Sequence, residues 1–275
     1  MPLNNHLRRF WTDPPYHSKM GSAAVTVPPD KKYQRVYYIT SAEHALSNIV
    51  FGRIKVARFS LLNDPFELLA PKFANSILRK SMSKFKREFD EMNGAVCFSG
   101  DWVDPVLWTH YGARHTGICL GFNLKRNILR KVKYVTERMT EFSGDSADQA
   151  LEDAIIETKF ASWKYENEHR ILVPLENCTE EGRLHFLPFD NELQLAEVII
   201  GAQSSLRSEE LRRIVDRHYL RNNVTTFKAK LALKSFNIVP LEPSVPPVEI
   251  TPLRLCQQAS HLWRIDSLSE SLISL

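Results

Sequence analysis

The segment Trp163–Pro174, WKYENEHRILVP, places two glutamates two residues apart, follows them with a histidine and an arginine, and then turns apolar. Desolvating like charges at the entrance to an apolar run raises the pKa of at least one carboxylate. Sequences carry that cost where chemistry needs it. Read with a period of two, the segment is one strand. Glu166, Glu168, Arg170 and Leu172 then share a face, with Asn167, His169, Ile171 and Val173 opposite. An ion pair of Arg170 with Glu166 or Glu168 accounts for the same spacing. Either Arg170 neutralises the glutamates and the site is structural, or it turns toward a phosphate and the site is catalytic.

Three further groups have polar chemistry to offer. In NDPFE, a turn capped by Asn63 and Asp64 explains the residues by itself; the functional alternative makes Asp64 and Glu67 ligands of a hard cation or acceptors for a ribose. Ser99 closes AVCFS, but the GxSxG elbow is absent, which excludes serine-hydrolase chemistry. LWTHYGARHTG sets Trp108, Tyr111 and Gly112 on one helical face, for which aromatic core packing is the ordinary explanation. Its alternative is a surface on which a nicotinamide or base stacks, with His110 or His115 donating to a phosphate. Two histidines without a third ligand give a weak metal signal, and no metal is expected.

The elements that must position these residues read as mixed α+β, with a mainly antiparallel sheet core in one or two small sheets and flanking helices. RVYYIT, IKVARFS, AVCFS, GICLGFN, VKYV, LHFLPF, LAEVIIG and TFKAKLALKSF read as strands, the last alternating Phe227, Ala229, Leu231 and Leu233 against lysines. Thr40 and Glu43 have capping-box spacing for a helix that Gly52 ends. Further helices are expected from about Lys72 to Asp90, after the Asp104–Pro105 cap, from Ser146 to Lys164, and near Ser208 to Leu220. Residues 1–32 read as an extended arm in which Phe10, Trp11 and Tyr16 lean on the body, 33–240 as a single domain, and 241–275 as a proline-rich linker with a C-terminal docking segment.

With 275 residues, 43% apolar and 25% charged, the chain is long enough to bury a sizeable core. It carries no run of eighteen apolar residues and no apolar signal region, so neither a membrane nor export is indicated, and a cytoplasmic location is expected. Cys97, Cys119, Cys178 and Cys256 form no CxxC pair, which argues against a zinc site or disulfide framework. The net charge of +4 is mild, but cations cluster in Arg79–Arg87 and Lys125–Lys133. Such clusters suit nucleic acid or a phosphorylated ligand, and equally a solvated face.

Taken in order, YYIT, LLNDPFE, VCFS, LWTHYGARHTGICLGF, WKYENEHRILV and EVIIGAQ resemble a bacterial family known as uncharacterised domain-of-unknown-function family 2971, over residues 35–205. A second resemblance is to the ADP-ribosyltransferases, whose cores use an Arg or His strand, a Ser or Tyr strand end, and an ExE at the mouth of an apolar strand. RVYYIT, with Arg35 or Tyr38, VCFS and ENEHRILVP stand in that order. The chain departs from the pattern at Arg170, where such strands are apolar, and no STS triplet follows Phe98.

That resemblance implies NAD as substrate, a protein or nucleic-acid acceptor, and a toxin or phage-defence setting. Glu168 would hold the ribose 2′-hydroxyl as positive charge develops at the sugar, and Glu166 would orient or deprotonate the acceptor. Ser99 would shape the ribose site, Trp108 or Tyr111 would flank the nicotinamide, and Arg35 would meet a phosphate. Asn63, Asp64, His110, His115 and Arg170 complete the expected nucleotide-binding set. Two other readings compete. In a metal-dependent nuclease, Asp64, Glu67, Glu166 and Glu168 would gather a divalent cation, although the lysine that such cores often add is missing. A non-catalytic nucleotide or nucleic-acid sensor would use the basic clusters and a Trp108 platform.

Overall fold

One strand inside the sheet, Ile118–Lys125, is buried at every position but its last, as expected for a strand covered on both faces. The structure, a computed structural model, describes residues 26, 28–72, 76–139, 149–219 and 224–241, all within one compact unit of residues 1–241. The expected C-terminal docking segment, and Phe10, Trp11 and Tyr16 of the arm, lie outside the described residues.

In chain order the strands are β1 (Tyr33–Thr40), β2 (Arg53–Arg58), β3 (Asn93–Ser99), β4 (Ile118–Lys125), β5 (Arg130–Lys131), β6 (Lys133–Val135), β7 (Thr158–Phe160), β8 (Glu168–Pro174), β9 (Thr179–Glu181), β10 (Leu184–Pro188), β11 (Leu193–Ile200), β12 (Thr225–Leu231) and β13 (Ile238–Pro240). The helices are α1 (Ala42–Phe51), α2 (Ser76–Met92), α3 (Pro105–His110), α4 (Gln149–Ile156) and α5 (Ser208–Tyr219). An 11-stranded sheet runs β13-β12-β11-β4-β1-β3-β2-β10-β9, with β8 paired to β3 and β5 to β8. Its pairs are antiparallel except β11–β12. The parallel pair β6–β7 forms a second, two-stranded sheet. The α+β expectation therefore holds, with one large sheet and one small one.

β8 pairs with β3 from Asn93 to Ser99 and so takes one whole edge of that strand. A strand has only two edges. β1, bridged at Tyr37–Ser99, and β2, paired at Ala57–Ala95 and Arg58–Gly94, must share the other. The sheet splays where β1 and β2 part, over the middle of β3.

Helices cover the sheet through their apolar faces. Ala45 and Ile49 of α1 and Leu211 and Val215 of α5 enter the main core, and the Tyr219 hydroxyl donates to the Ile49 carbonyl at 2.7 Å. Phe85 and Phe89 of α2 pack in a separate cluster, with Phe89 edge-on to Phe59. Local signals work largely as their chemistry dictates. Gly52 ends α1 in the left-handed region at φ 60°, and the Asp104 carboxylate accepts from the Val106 amide at 2.7 Å beside Pro105.

Other expectations require correction. Ser41, rather than Thr40, caps α1, its hydroxyl accepting from the His44 amide. The helix expected from Lys72 is described from Ser76. The one expected over Ser146–Lys164 is described only as far as Ile156, because the Lys133 amide donates to the Glu157 carbonyl and draws the chain into β7. The strand expected from Trp163 starts at Glu168: Ala161–Glu166 is a 3-10 turn, and Asn167 at φ 43° breaks the extended run. β12 stops at Leu231, which leaves Leu233 exposed instead of in the alternating pattern.

Candidate functional site

The splay between β1 and β2 opens a cavity of about 410 Å³, within the range of small-ligand sites. β1 contributes Tyr37 to Thr40, β2 contributes Lys55 and Ala57, and Ala95 to Ser99 of β3 lie between them. Asn63, Glu67, His110, Tyr111, Lys159, Glu166 and Glu168 complete its polar lining.

The charged part of this wall is built from four separate segments. Lys159, on β7, donates to Glu166 Oε2 at 2.6 Å and to Glu168 Oε2 at 2.9 Å, and lies 3.9 Å from Glu67 Oε1. Arg170 lies behind Glu168 on the same face of β8. Its Nε donates to Glu168 Oε1 at 2.9 Å, and Nη1 and Nη2 donate to the two Glu67 oxygens at 3.1 and 3.2 Å. The Tyr111 hydroxyl donates to Glu166 Oε1, and the Asn63 amide reaches the Tyr111 oxygen at 3.4 Å. The Glu168 amide donates to the Tyr134 hydroxyl at 2.7 Å. Across the sheet, Glu168 stands opposite Ser99, whose hydroxyl accepts from the Asp101 amide at 3.3 Å.

Three carboxylates thus meet two cations, all with side chains less than a tenth exposed. The fully ionised cluster has one net negative charge, and one added proton makes it neutral. The glutamates differ in how easily they accept that proton. Burial pushes Glu166 above the usual carboxylate range, against the pull of Lys159 and the Tyr111 hydroxyl. Burial acts on Glu168 too, but Arg170 and Lys159 outweigh it and hold that carboxyl below the usual range. Glu67 is also raised by burial, yet both of its oxygens are engaged by Arg170. Burial disfavours the charge on Lys159, but Glu168 and Glu166 more than offset it, so the amine is held protonated. Burial likewise drives the Tyr111 phenol up, with Glu166 adding to the effect. Two neighbouring carboxylates pushed apart in this way can take different roles in acid–base chemistry.

The cavity brings together Glu166, Glu168, Ser99, Tyr38, Asn63, His110 and Tyr111 from the expected set. Tyr38 sits edge-on to Phe98, and burial pushes its phenol up to about 12. The exposed His110 ring lies 5.8 Å from that of Tyr165. Five expected residues are placed elsewhere. Arg35 is buried against Glu197 Oε1 at 2.5 Å and Asn123 at 2.9 Å, so its fork is occupied away from the cavity. Asp64 is a turn residue, accepting from the Phe66 amide at 2.9 Å. Trp108 is fully buried, its indole donating to the Trp102 carbonyl at 2.6 Å, and offers no platform; His115 stacks on it outside the cavity lining. Arg170, at 0% exposure, is a neutralising residue behind the wall rather than a phosphate ligand.

Two central residues were not in the expected site. Lys159 fell inside the expected Ser146–Lys164 helix, and no spacing marks it. Glu67 appeared there only as a turn or cation residue. No local sequence signal marks Tyr134, since its contact with Glu168 depends on how β6 and β7 are placed.

Residues 107–171 match a family described as "Protein of unknown function (DUF2971)". The matched stretch runs from α3 into β8 and contains Tyr111, Lys159, Glu166, Glu168 and Arg170. No curated protein and no solved structure matches the chain. Among the described residues no helix is long and apolar enough to cross a membrane.

Proposed function

We propose that this chain, which carries the DUF2971 family sequence over residues 107–171, is an ADP-ribosyltransferase-like enzyme that cleaves the nicotinamide N-glycosidic bond of NAD in the splayed-sheet cavity. The observation that carries the reading is the Glu166–Glu168 pair on one ammonium, with opposite pKa shifts, beside Ser99. In this reaction the C1′–N bond breaks and nicotinamide leaves with the bonding pair. Positive charge then builds on the sugar, and a site complementary to it is anionic. The ionised cluster, with its one excess negative charge, has that sign.

Glu168 stays ionised and faces the ribose. Arg170 occupies its Oε1, Lys159 one position on Oε2, and the Cys97 thiol also donates a hydrogen bond to the carboxylate; the ribose 2′-hydroxyl takes a remaining lone pair or the place of the weak thiol donor. Glu166 takes the proton of the acceptor as the acceptor bonds to C1′. Its raised pKa makes it a stronger base than an ordinary carboxylate.

One observation favours the metal-dependent nuclease instead: Lys159 supplies the lysine that the sequence lacked beside its acidic pair. Against it, Lys159 and Arg170 already hold the oxygens a cation would need, Asp64 lies outside the lining, and among the described residues no group of three His, Cys, Asp or Glu is placed to hold a metal. Incubation with NAD and a bacterial lysate, with and without EDTA, separates the readings. Label transfer from NAD that survives EDTA supports the transferase. Nucleic-acid cleavage abolished by EDTA supports the nuclease.

A further inference from the structure

The two basic clusters differ in what surrounds them. In the second, Lys125 pairs with Glu192 at 2.8 Å, Arg130 with Asp153 at 2.7 Å, and Lys133 with Glu157 at 3.3 Å. Arg126 is held by the Lys31 carbonyl and Gln34. In the first, on α2, Arg79, Lys80 and Arg87 meet no carboxylate among the described residues, and Lys84 has only a solvent-exposed contact with Glu88 at 3.7 Å. Exposed pairs of that kind contribute little. Three of the five cations of the second cluster are thus paired with carboxylates, whereas the first has one weak exposed pair among the described residues.

The first cluster is also ordered. Ser76, Arg79, Lys80, Ser83, Lys84 and Arg87 recur at three- and four-residue spacing and line one shallow depression. The opposite face of α2, with Met82, Phe85 and Phe89, is packed on the body, so the helix orientation is fixed. From Arg79 to Arg87 the stripe spans about 12 Å at the helical rise, enough to follow a short run of consecutive phosphates along one strand. It contains cations and serines, without the aromatic anchors typical of a protein interface. Lys86, on the same helix, donates to the carbonyl of cavity-lining Glu67 at 2.9 Å.

We infer that this face of α2 binds the phosphate backbone of a nucleic-acid strand and sets it beside the cavity, which makes nucleic acid the macromolecular partner. Arginine forks suit phosphate oxygens bidentately, and contacts of this kind position a strand without reading its sequence. The surface is separate from the glutamate cluster, so binding is measurable whether or not NAD is turned over.

The test is fluorescence anisotropy of the full chain with labelled 20-nucleotide single strands of DNA and RNA. Binding is expected at 50 mM salt, with a log–log salt slope of about −3 for four contacts. The triple reversal Arg79→Glu, Lys80→Glu, Lys84→Glu is expected to weaken it at least about tenfold. The matched reversal of Arg212, Arg213 and Arg217 on α5 is expected to leave it within about twofold. The reversed residues are exposed, and circular dichroism checks the fold. Absence of binding, equal loss in both triple variants, or binding by α2 to anionic vesicles with none to oligonucleotides would overturn the inference.

Discussion

Arg170 and Glu67 form a two-pronged pair behind the cavity wall, Nη1 and Nη2 each donating to a different carboxylate oxygen at 3.1 and 3.2 Å. The pair joins the loop after β2 to the middle of β8, and the Arg170 Nε turns the other way to Glu168. The arginine in the apolar strand thus offsets the burial of two glutamates, sharing Glu168 with Lys159.

Removing it leaves Glu67 without its two-pronged partner and Glu168 with Lys159 alone. Arg170→Met is expected to cost about 3–5 kcal/mol near neutral pH, the range for breaking a buried pair. In that variant the folded-state pKa of Glu67, already raised by burial, rises further, and that of Glu168 loses the larger of the two pulls that hold it down. Stability is then gained as pH falls through the raised Glu67 value and lost as it rises. Urea unfolding at neutral and mildly acidic pH should show the deficit shrinking at the lower pH; a deficit independent of pH contradicts the role.

On the proposed reading, the pH dependence of turnover reports Glu166. As the base, it must be ionised, so kcat/KM is expected to rise with pH through a value above the usual carboxylate range. The Tyr111 hydroxyl stabilises the ionised form of Glu166. Tyr111→Phe should therefore move that limb to higher pH, and Glu166→Gln should abolish it. A limb that stays in place in Tyr111→Phe would show that another group is being titrated.

Trp108 and His110 separate core from site within one short helix. Trp108→Ala is expected to destabilise the fold by about 3–5 kcal/mol, as for other buried aromatic truncations. His110→Ala, at an exposed position, should leave the melting temperature unchanged while weakening nucleotide binding. Calorimetric melting and NAD titration of the two variants give the comparison, and a His110 variant with unaltered binding would remove that residue from the site.

Much of this arrangement was legible where the signal is local. The Asp104–Pro105 cap and the left-handed Gly52 depend on a few neighbouring residues, and both are found where the sequence puts them. The Glu166–Glu168 pair was found through a period-two reading whose strand boundary is wrong. The left-handed Asn167 breaks the strand, yet both carboxylates still reach one amine.

Lys159 could not be found in this way, because its position depends on the β6–β7 pair that interrupts the expected helix. Arg35 and Trp108 show the opposite failure. Their local patterns suit a phosphate fork and a stacking surface, and only the fold reveals Glu197 and the Trp102 carbonyl as their partners.

The central claim is that ionised Glu168 serves bond cleavage in NAD as well as a buried charge network. Glu168→Gln keeps the shape, removes the charge, and leaves Lys159 paired to Glu166. Nicotinamide release from NAD by the folded 275-residue chain in the presence of EDTA is the most direct measurement. The account predicts release by the wild type and a loss of at least about a hundredfold in Glu168→Gln with NAD binding retained, the scale of removing one electrostatic stabiliser of a transition state. No release by the wild type, or equal release by the variant, would contradict it.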